Sequence, residues 1–366
     1  MQEDLFYLLA LQKVKGVGDI TAKKLLKHFG SAQKIFEAAQ ENAISIPDIG
    51  TYIINQLKNF SAFDLAEKEL KYIEKEHIHP VSIFDDEYPR QLFHSPDGPI
   101  LYFTKGKVNL NNKKTLSIVG TRNITPYGKR MIEEIMEDLA PYQPVIISGL
   151  AYGVDITAHT EALKKGLDTI GVLGHGFQRI YPSLHKKIAD KMLSQGGLIT
   201  EFWHSDPVDR NNFLQRNRII AGISQATLII ESGEKGGSLV TADIANSYNR
   251  DVFAVPGRAS DVFSKGCNNL IKNNQAQLIT SGKEIIEYLQ WETQKNTKEN
   301  KQLNLFVDLS SEEQKIFDFL QEKGKTGLDE IAFSTGFPVS KTAQLLLQME
   351  LNNVIQSLAG KQFEII

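Results

Sequence analysis

The middle of the chain repeats one pattern: a short apolar run, a glycine turn and a stretch with helical periodicity. It occurs at 116–130, at 145–163 and in the pair 213–230 and 236–245. Apolar runs that alternate with helices predict parallel βαβ units. The predicted fold class is therefore α/β, with a Rossmann-like, doubly wound and mostly parallel sheet. The predicted strands are TLSIVG, PVIISG, DTIGVLG, GLITEF, ATLIIE and DVFAVPG, with a last strand near QLIT.

The segments on either side of this core show other patterns. Before it, helical periodicity gives way to two short strand-like runs, VSIF and ILYF, around a Pro-rich turn. After it, a polar stretch without periodicity predicts a flexible linker. The predicted parts are a helical domain at 1–65, an adapter at 66–112, the core at 113–290, the linker at 291–308 and a small domain at 309–366.

Both end domains contain patterns found in DNA-binding proteins. The Gly-Val-Gly turn at 16–18, followed by Asp19 and a basic helix, resembles a helix–hairpin–helix unit, whose turn amides approach a DNA phosphate. A helical bundle that only packs on the core explains the pattern equally well. At the other end, three helices and a hairpin around Ala359 and Gly360 predict a winged helix. Because its third helix carries little positive charge beyond Lys341, a protein contact is favoured over DNA.

Composition narrows the class of protein. The chain has 366 residues, of which 41% are hydrophobic and 23% charged, as in globular proteins with two or three domains. No apolar run approaches the roughly 20 residues of a membrane helix, and the acidic start does not resemble a secretory signal. One cysteine, Cys267, excludes an internal disulfide framework. We therefore expect a cytoplasmic protein. With a net charge of −3, nucleic-acid binding requires basic residues focused in a groove.

The first glycine turn, Gly120-Thr121-Arg122, follows a predicted strand. Backbone amides and a guanidinium at such a turn suit a phosphate. The turn is not an ATP-binding P-loop, because the spacing to Gly128 is too long and Arg130 replaces the magnesium-binding hydroxyl. A tight turn with a surface arginine is the alternative.

The second turn contains Ser148, Gly149 and Leu150, and it precedes Asp155 and His159 on one helix face. That pair suggests a metal or acid–base site. A local structural role is favoured, because no third ligand lies nearby in the sequence. We expect no metal and no cofactor.

The run FLQRNR at 213–218 is the most specific single feature. Arg216 and Arg218 suit phosphates, Asn217 suits polar base edges, and Phe213 offers a stacking face for an unpaired base. The alternative is that the phenylalanine belongs to the core and that the arginines form ion pairs with glutamates.

Those glutamates, Glu201 and Glu231, allow a rival function. Glu231 precedes a third turn, where Gly237 and Ser238 begin a helix that suits a phosphate. Either carboxylate is a candidate catalyst in an enzyme that cleaves nucleotide N-glycosidic bonds. The sequence GRASD after Pro256, where such enzymes have a PGG-x-GT loop, counts against that rival. A nucleotide sensor with a closed pocket is a third possibility.

Six motifs in order resemble the DNA-processing protein A family, also called DprA or Smf. They are IVGTR, SGLAYGVDITAH, GVLGHGFQRIYP, FLQRNRIIAG, GGSLVTA and VFAVPG. The resemblance spans about 88–290, and the helical and winged-helix end domains fit the family's usual arrangement. Two departures are PDGP in place of Asp-Pro-Pro near the entry, and KNNQAQL, which lacks a usual Gly-Ala.

The resemblance implies a non-catalytic recombination mediator. Such proteins bind single-stranded DNA, displace single-strand-binding protein and load a RecA-type recombinase, notably in natural transformation. It also implies a homodimer with a surface at about 266–278, which includes Asn268, Leu270, Ile271 and Leu278. Carried onto this sequence, the DNA pocket comprises Gly120, Thr121, Arg122, Ser148, Gly149, Leu150, Phe213, Arg216, Asn217, Arg218, Gly237 and Ser238.

Overall fold

The computed structural model describes residues 2–47, 49–111, 113–292, 309–352, 354–358 and 362–365. The chain divides into two compact units, Met1–Thr293 and Gln294–Ile366. Within the described ranges, no helix combines the length and the apolar character needed to cross a bilayer.

The first unit begins with a group of helices that pack on one end of the sheet. Leu25, Ile35 and Leu57 are buried in the same apolar cluster as Ile100 and Trp203, so the helices share a core with the sheet. The boundary predicted at residue 65 falls inside the last helix and stays a prediction, as does the one at 112. The helices are α1 (Gln2–Gln12), α2 (Asp19–Phe29), α3 (Ala32–Gln40), α4 (Thr51–Lys58) and α5 (Phe63–Lys75).

A nine-stranded sheet forms the centre of this unit, with the order β1-β2-β6-β5-β4-β3-β7-β8-β9. The pairs β1–β2 and β2–β6 are antiparallel, and the other neighbours are parallel. The predicted doubly wound, mostly parallel sheet is confirmed. The strands are β1 (His79–Ser82), β2 (Leu101–Gly106), β3 (Thr115–Val119), β4 (Val145–Ser148), β5 (Thr169–Val172), β6 (Gly196–Thr200), β7 (Ala226–Ile229), β8 (Asp251–Ala254) and β9 (Gln277–Leu278).

Helices cover both faces of the sheet. Strands β3, β4, β5, β6 and β7 are buried along their whole length, because a parallel sheet between two helical layers has no solvated face. This explains their nearly continuous apolar sequences. The helices are α6 (Arg90–Phe93), α7 (Pro126–Leu139), α8 (Val154–Lys164), α9 (Lys186–Met192), α10 (Arg210–Gly222), α11 (Gly237–Ser247), α12 (Lys265–Lys272) and α13 (Gly282–Tyr288).

The strand order reverses at β3. From β3 the chain continues to β4, β5 and β6 on one side, and β7, β8 and β9 extend the sheet on the other side. The loops that follow β3 and β7 therefore diverge at their carboxyl ends and leave a crevice, which is where open α/β sheets bind ligands.

The second unit has three helices and a three-stranded antiparallel sheet with the order β10-β12-β11. The predicted Ser-x-x-Glu cap is present as a capping box of Ser310 and Glu313. Most of the linker predicted at 291–308, and the turn at Ala359 and Gly360, lie outside the described residues. The elements are α14 (Ser311–Lys323), β10 (Thr326–Gly327), α15 (Leu328–Thr335), α16 (Val339–Leu351), β11 (Ile355–Leu358) and β12 (Gln362–Ile365).

Candidate nucleic-acid interface

A cavity of about 480 Å³ lies in the crevice where the strand order reverses. The loops after β3, β4 and β7 form its walls together with helix α10. From the predicted site, the lining includes Gly120, Thr121, Arg122, Phe213, Arg216, Asn217, Gly237 and Ser238. The predicted residues Ser148, Gly149, Leu150 and Arg218 do not line it.

One face of helix α10 supplies much of the lining. Arg210, Phe213 and Asn217 follow one another at spacings of three and four residues, so they point to the same side. The helix begins where the Asp209 carboxylate accepts a hydrogen bond from the backbone amide of Asn211 at 2.7 Å. Arg210 was missed at the sequence level, although its spacing to Phe213 places it on the predicted face.

Arg218 lies on the opposite side of α10 and faces the N-terminal helices. Its guanidinium donates to the carboxylate of Glu201 and to Asp19 Oδ2 at 3.1 Å, and it also reaches the carbonyl of Asp97. Burial by itself lowers the pKa of Arg218, but the carboxylates of Glu201 and Asp19 outweigh it and raise the pKa. The predicted ion pair with Glu201 is present, and the placement of Arg218 in the pocket was wrong, because residues two positions apart in a helix diverge.

The Arg218 cluster also bears on the turn at 16–18. Asp19 begins α2, and its other carboxylate oxygen accepts a hydrogen bond from the amide of Ile100 at 3.0 Å. Lys23 on the same helix donates to the carbonyl of Ser95 at 2.8 Å. The start of α2 is therefore packed on the core, as expected of the bundle interpretation.

Arg216 lies at the floor of the cavity and is almost fully buried. Its Nη1 donates to the carbonyl of Val172 at 2.5 Å. A Cβ atom on Gly149 would lie only 2.0 Å from that nitrogen, so glycine is what admits the guanidinium. Burial lowers the pKa of Arg216 to about 10, against the opposing effect of Asp155. The group remains a cation at neutral pH.

The turn after β4 is a scaffold and has its own internal anion. Asp155 accepts hydrogen bonds from the amides of Gly149 at 3.1 Å and Ala151 at 3.3 Å. Burial raises the pKa of this carboxyl, although Arg216 and the amides oppose the shift. Ser148 is buried and donates to a backbone carbonyl. Leu150 is buried with φ +58°, an unusual conformation for a branched residue.

His159 also has a structural environment. Its Nδ1 lies 2.7 Å from the hydroxyl of Thr169, and that hydroxyl donates to a carbonyl of β4. The imidazole is therefore the donor at Nδ1, and its buried Nε2 has no hydrogen-bond partner. Burial lowers the pKa of His159 to about 3. Across the described part of the chain, no cluster of three His, Cys, Asp or Glu residues is arranged to hold a metal.

Glu231, the other carboxylate of interest, caps helix α7. It accepts hydrogen bonds from the amide of Thr125 at 2.9 Å and from its hydroxyl at 2.5 Å. Its backbone carbonyl accepts from the amide of Thr121 at 2.7 Å, which fixes the loop after β3. The N-termini of α7 and α8 are thus both occupied by carboxylates of the protein itself.

The N-terminus of α11 has a different surrounding. The helix begins at Gly237, and its N-cap residue, Gly236, provides no side-chain cap. Both glycines line the cavity. Unpaired amides at a helix start attract anions, and the exposed side chains of Arg122 and Arg210 line the same cavity. One helix terminus and two accessible guanidinium groups therefore form a phosphate-binding surface.

The residues predicted at a dimer surface are mostly engaged within the chain. Leu270 is only 4% exposed and belongs to the apolar core beneath β8. Asn268 exchanges hydrogen bonds with the backbone of Gly257 at 3.2 and 3.0 Å. Ile271 is partly buried, while Leu278 is 40% exposed on β9 at the edge of the sheet. Of these four side chains, Leu278 is the one most available to a partner.

The match to known proteins agrees with this geometry. Residues 79–290 match the model of the family described as DNA recombination-mediator protein A. The chain belongs to this family. Residues 307–361 match the family's winged-helix domain, which confirms the fold predicted for the C-terminal unit.

Relatives of this family are found in distant bacteria. The protein Smf of Escherichia coli is 34% identical over 84% of this chain and 83% of its own length. DNA processing protein DprA of Streptococcus pneumoniae is 37% identical over 56% of this chain and 72% of its own. The solved structure of DNA processing protein A from Streptococcus pneumoniae has a TM-score of 0.66 at 28% identity, covering 80% of this chain and 98% of that one.

A second solved structure concerns DNA directly. DNA processing protein A from Helicobacter pylori was described for its single-stranded DNA binding mode. It matches with a TM-score of 0.53 at 28% identity, and it covers 59% of this chain and 97% of that one.

Proposed function

We propose that this chain binds single-stranded DNA in the crevice next to β3 and acts as a recombination mediator. The observation that carries the proposal is the lining of one cavity by the open N-terminus of α11, the exposed Arg122 and Arg210, and the ring of Phe213. The first three attract phosphates, and the aromatic ring attracts a base. A binding mode of this kind is described for the Helicobacter pylori relative.

The same features favour single strands over duplex DNA. A base can lie on the Phe213 ring only when it is unpaired, because bases of a duplex are already stacked and paired. The lining supplies one helix terminus and guanidinium groups, and these recognise phosphates without reading sequence. Binding is therefore expected to depend strongly on salt and little on sequence.

The test is fluorescence anisotropy with a labelled dT oligomer, a duplex of the same length and labelled ATP, over a salt series. Arg122→Ala is expected to raise the Kd for the oligomer about tenfold, since a charge-assisted hydrogen bond is lost. It is also expected to flatten the salt dependence by about 0.7 per phosphate contact. Arg90→Ala is the matched control, because Arg90 is exposed on α6, which packs on the far end of α10.

Three outcomes separate the candidate functions. Salt-dependent binding of the oligomer, weaker binding of duplex and a loss in Arg122→Ala support the proposal. Tight ATP binding without oligomer binding supports a nucleotide-binding protein instead. In that case product analysis tests the N-glycosidic hydrolase, for which the structure offers little, since Glu231 caps α7 and Glu201 is paired with Arg218.

The mediator role requires partners beyond DNA. We propose that the protein protects single strands, displaces single-strand-binding protein and delivers the strand to a RecA-type recombinase as a homodimer. The DNA-dependent ATPase of the recombinase on strands coated with single-strand-binding protein measures this delivery. Light scattering of wild type and Leu278→Glu tests the dimer, with Leu65→Glu as a control of similar exposure on α5. A monomeric wild type, or no stimulation of the recombinase, contradicts these parts of the proposal.

A further inference from the structure

The loop after β5 continues the edge of the sheet beyond the cavity. Strand β5 is the neighbour of β4, which is the neighbour of β3, so the loops after these three strands lie side by side. Tyr181 is in the loop after β5 and is 51% exposed. Its ring centroid is 5.8 Å from that of Phe213, which lines the cavity. An exposed aromatic ring therefore stands directly beside the predicted base-stacking residue.

The backbone at Tyr181 is held by a buried histidine. The amide of Tyr181 donates to His175 Nε2 at 3.2 Å, so the other ring nitrogen, Nδ1, carries the proton and donates to the carbonyl of Gly176 at 2.9 Å. His175 is only 1% exposed. A rigid support beneath a half-exposed ring forms a preorganised stacking surface, since little conformational freedom remains to be lost on binding.

We infer that Tyr181 is a second base-stacking residue, and that the DNA track runs from the crevice across the loop after β5. This inference rests on the proposed single-strand binding. The two rings are inclined by 47°, so one base cannot stack on both of them, and Tyr181 takes the base next to the one on Phe213. Arg179, exposed in the same loop, supplies a cation for the intervening backbone.

The test compares Tyr181→Ala and Tyr181→Phe on two probes, a labelled dT oligomer and an abasic oligomer of the same length. Tyr181→Ala is expected to raise the Kd for dT at least about fivefold, whereas Tyr181→Phe stays within about twofold, because the ring is retained. On the abasic oligomer, Tyr181→Ala is expected to bind like wild type. Tyr288→Ala is the control, because Tyr288 is 53% exposed at the end of α13, away from the carboxyl edge of the sheet.

Unchanged dT binding by Tyr181→Ala, or an equal loss on both oligomers, overturns the inference while leaving the proposed function intact. The absence of any salt-dependent dT binding by wild type overturns the proposed function itself. Should Tyr181→Ala fold poorly, ultraviolet crosslinking of wild type to a 5-iododeoxyuridine oligomer decides the question. A crosslink at Tyr181 supports the inference, and crosslinks at Phe213 without Tyr181 contradict it.

Discussion

Replacing Arg218 by methionine tests whether this arginine holds the fold together or holds DNA. The side chain is 6% exposed and neutralises Glu201 and Asp19. Methionine retains most of the volume but leaves two buried carboxylates without their cation. Removing one partner of a buried ion pair costs about 3–5 kcal/mol of unfolding free energy. We expect that loss at pH 8.5, with the Kd for a dT oligomer within about twofold of wild type.

The loss is expected to be smaller at pH 5.5. Burial raises the pKa of Glu201 to about 7, so below that pH the carboxyl is protonated in the folded protein and needs no cation. Above it, the ionised carboxylate depends on Arg218. The destabilisation by Arg218→Met therefore appears as pH rises through 7, and the double variant Arg218→Met/Glu201→Gln is expected to recover part of it.

Urea unfolding followed by tryptophan fluorescence suits this measurement, because both tryptophans, Trp203 and Trp291, lie in the first compact unit. Arg122→Met is the matched control: its exposed side chain is expected to change stability by less than about 0.5 kcal/mol while weakening DNA binding. The reasoning is refuted if Arg218→Met is as stable as wild type and loses salt dependence of DNA binding, since that result places Arg218 on a phosphate.

Three further predictions follow from particular contacts. Gly153→Ala brings a Cβ to 2.3 Å from the carbonyl of Thr121 at φ +75°, whereas Gly166→Ala has a similar φ and open space. We therefore expect Gly153→Ala to lose clearly more than the roughly 1 kcal/mol of the control in urea unfolding, and equal losses would contradict the clash. Burial lowers the pKa of His159 to about 3, so between pH 6.5 and 3 the unfolded chain binds a proton that the folded chain does not. Wild type should lose about 2 kcal/mol at pH 5 that His159→Gln does not lose, and parallel pH curves for the two proteins would refute this. Removal of 309–366 is expected to leave the dT Kd within about twofold, because Lys341 on α16 is paired with Glu312, and a tenfold loss would show that this unit contacts DNA.

The sequence predicted the strands well because their signal is local. Each run from TLSIVG to DVFAVPG is buried on both faces, so nearly every position is apolar and the run ends at a glycine turn. The winged-helix unit was predicted for the same reason, since Ser310 and Glu313 form a cap within one helical turn. The misplacement of Arg218 also had a local remedy, because the helical period alone separates it from Arg216.

The remaining errors concern partners that are distant in the chain. Nothing local shows that Glu231 occupies the start of α7 or that Asp155 binds the amides of Gly149 and Ala151, yet these contacts remove two of the expected phosphate sites. Likewise, the apolar Leu270 fits a dimer surface or a core equally well until the packing beneath β8 is known.

The sequence by itself therefore determined the α/β class, the order of the elements and the family, because periodicity, glycine turns and motifs depend on near neighbours. Only the tertiary structure decided which helix start stays open to an anion, which arginine faces the crevice and which is locked to Glu201 and Asp19. Those choices depend on which carboxylate lies within hydrogen-bonding reach of which donor. Folding brings together groups as far apart as Asp19 and Arg218, and no local pattern records that distance.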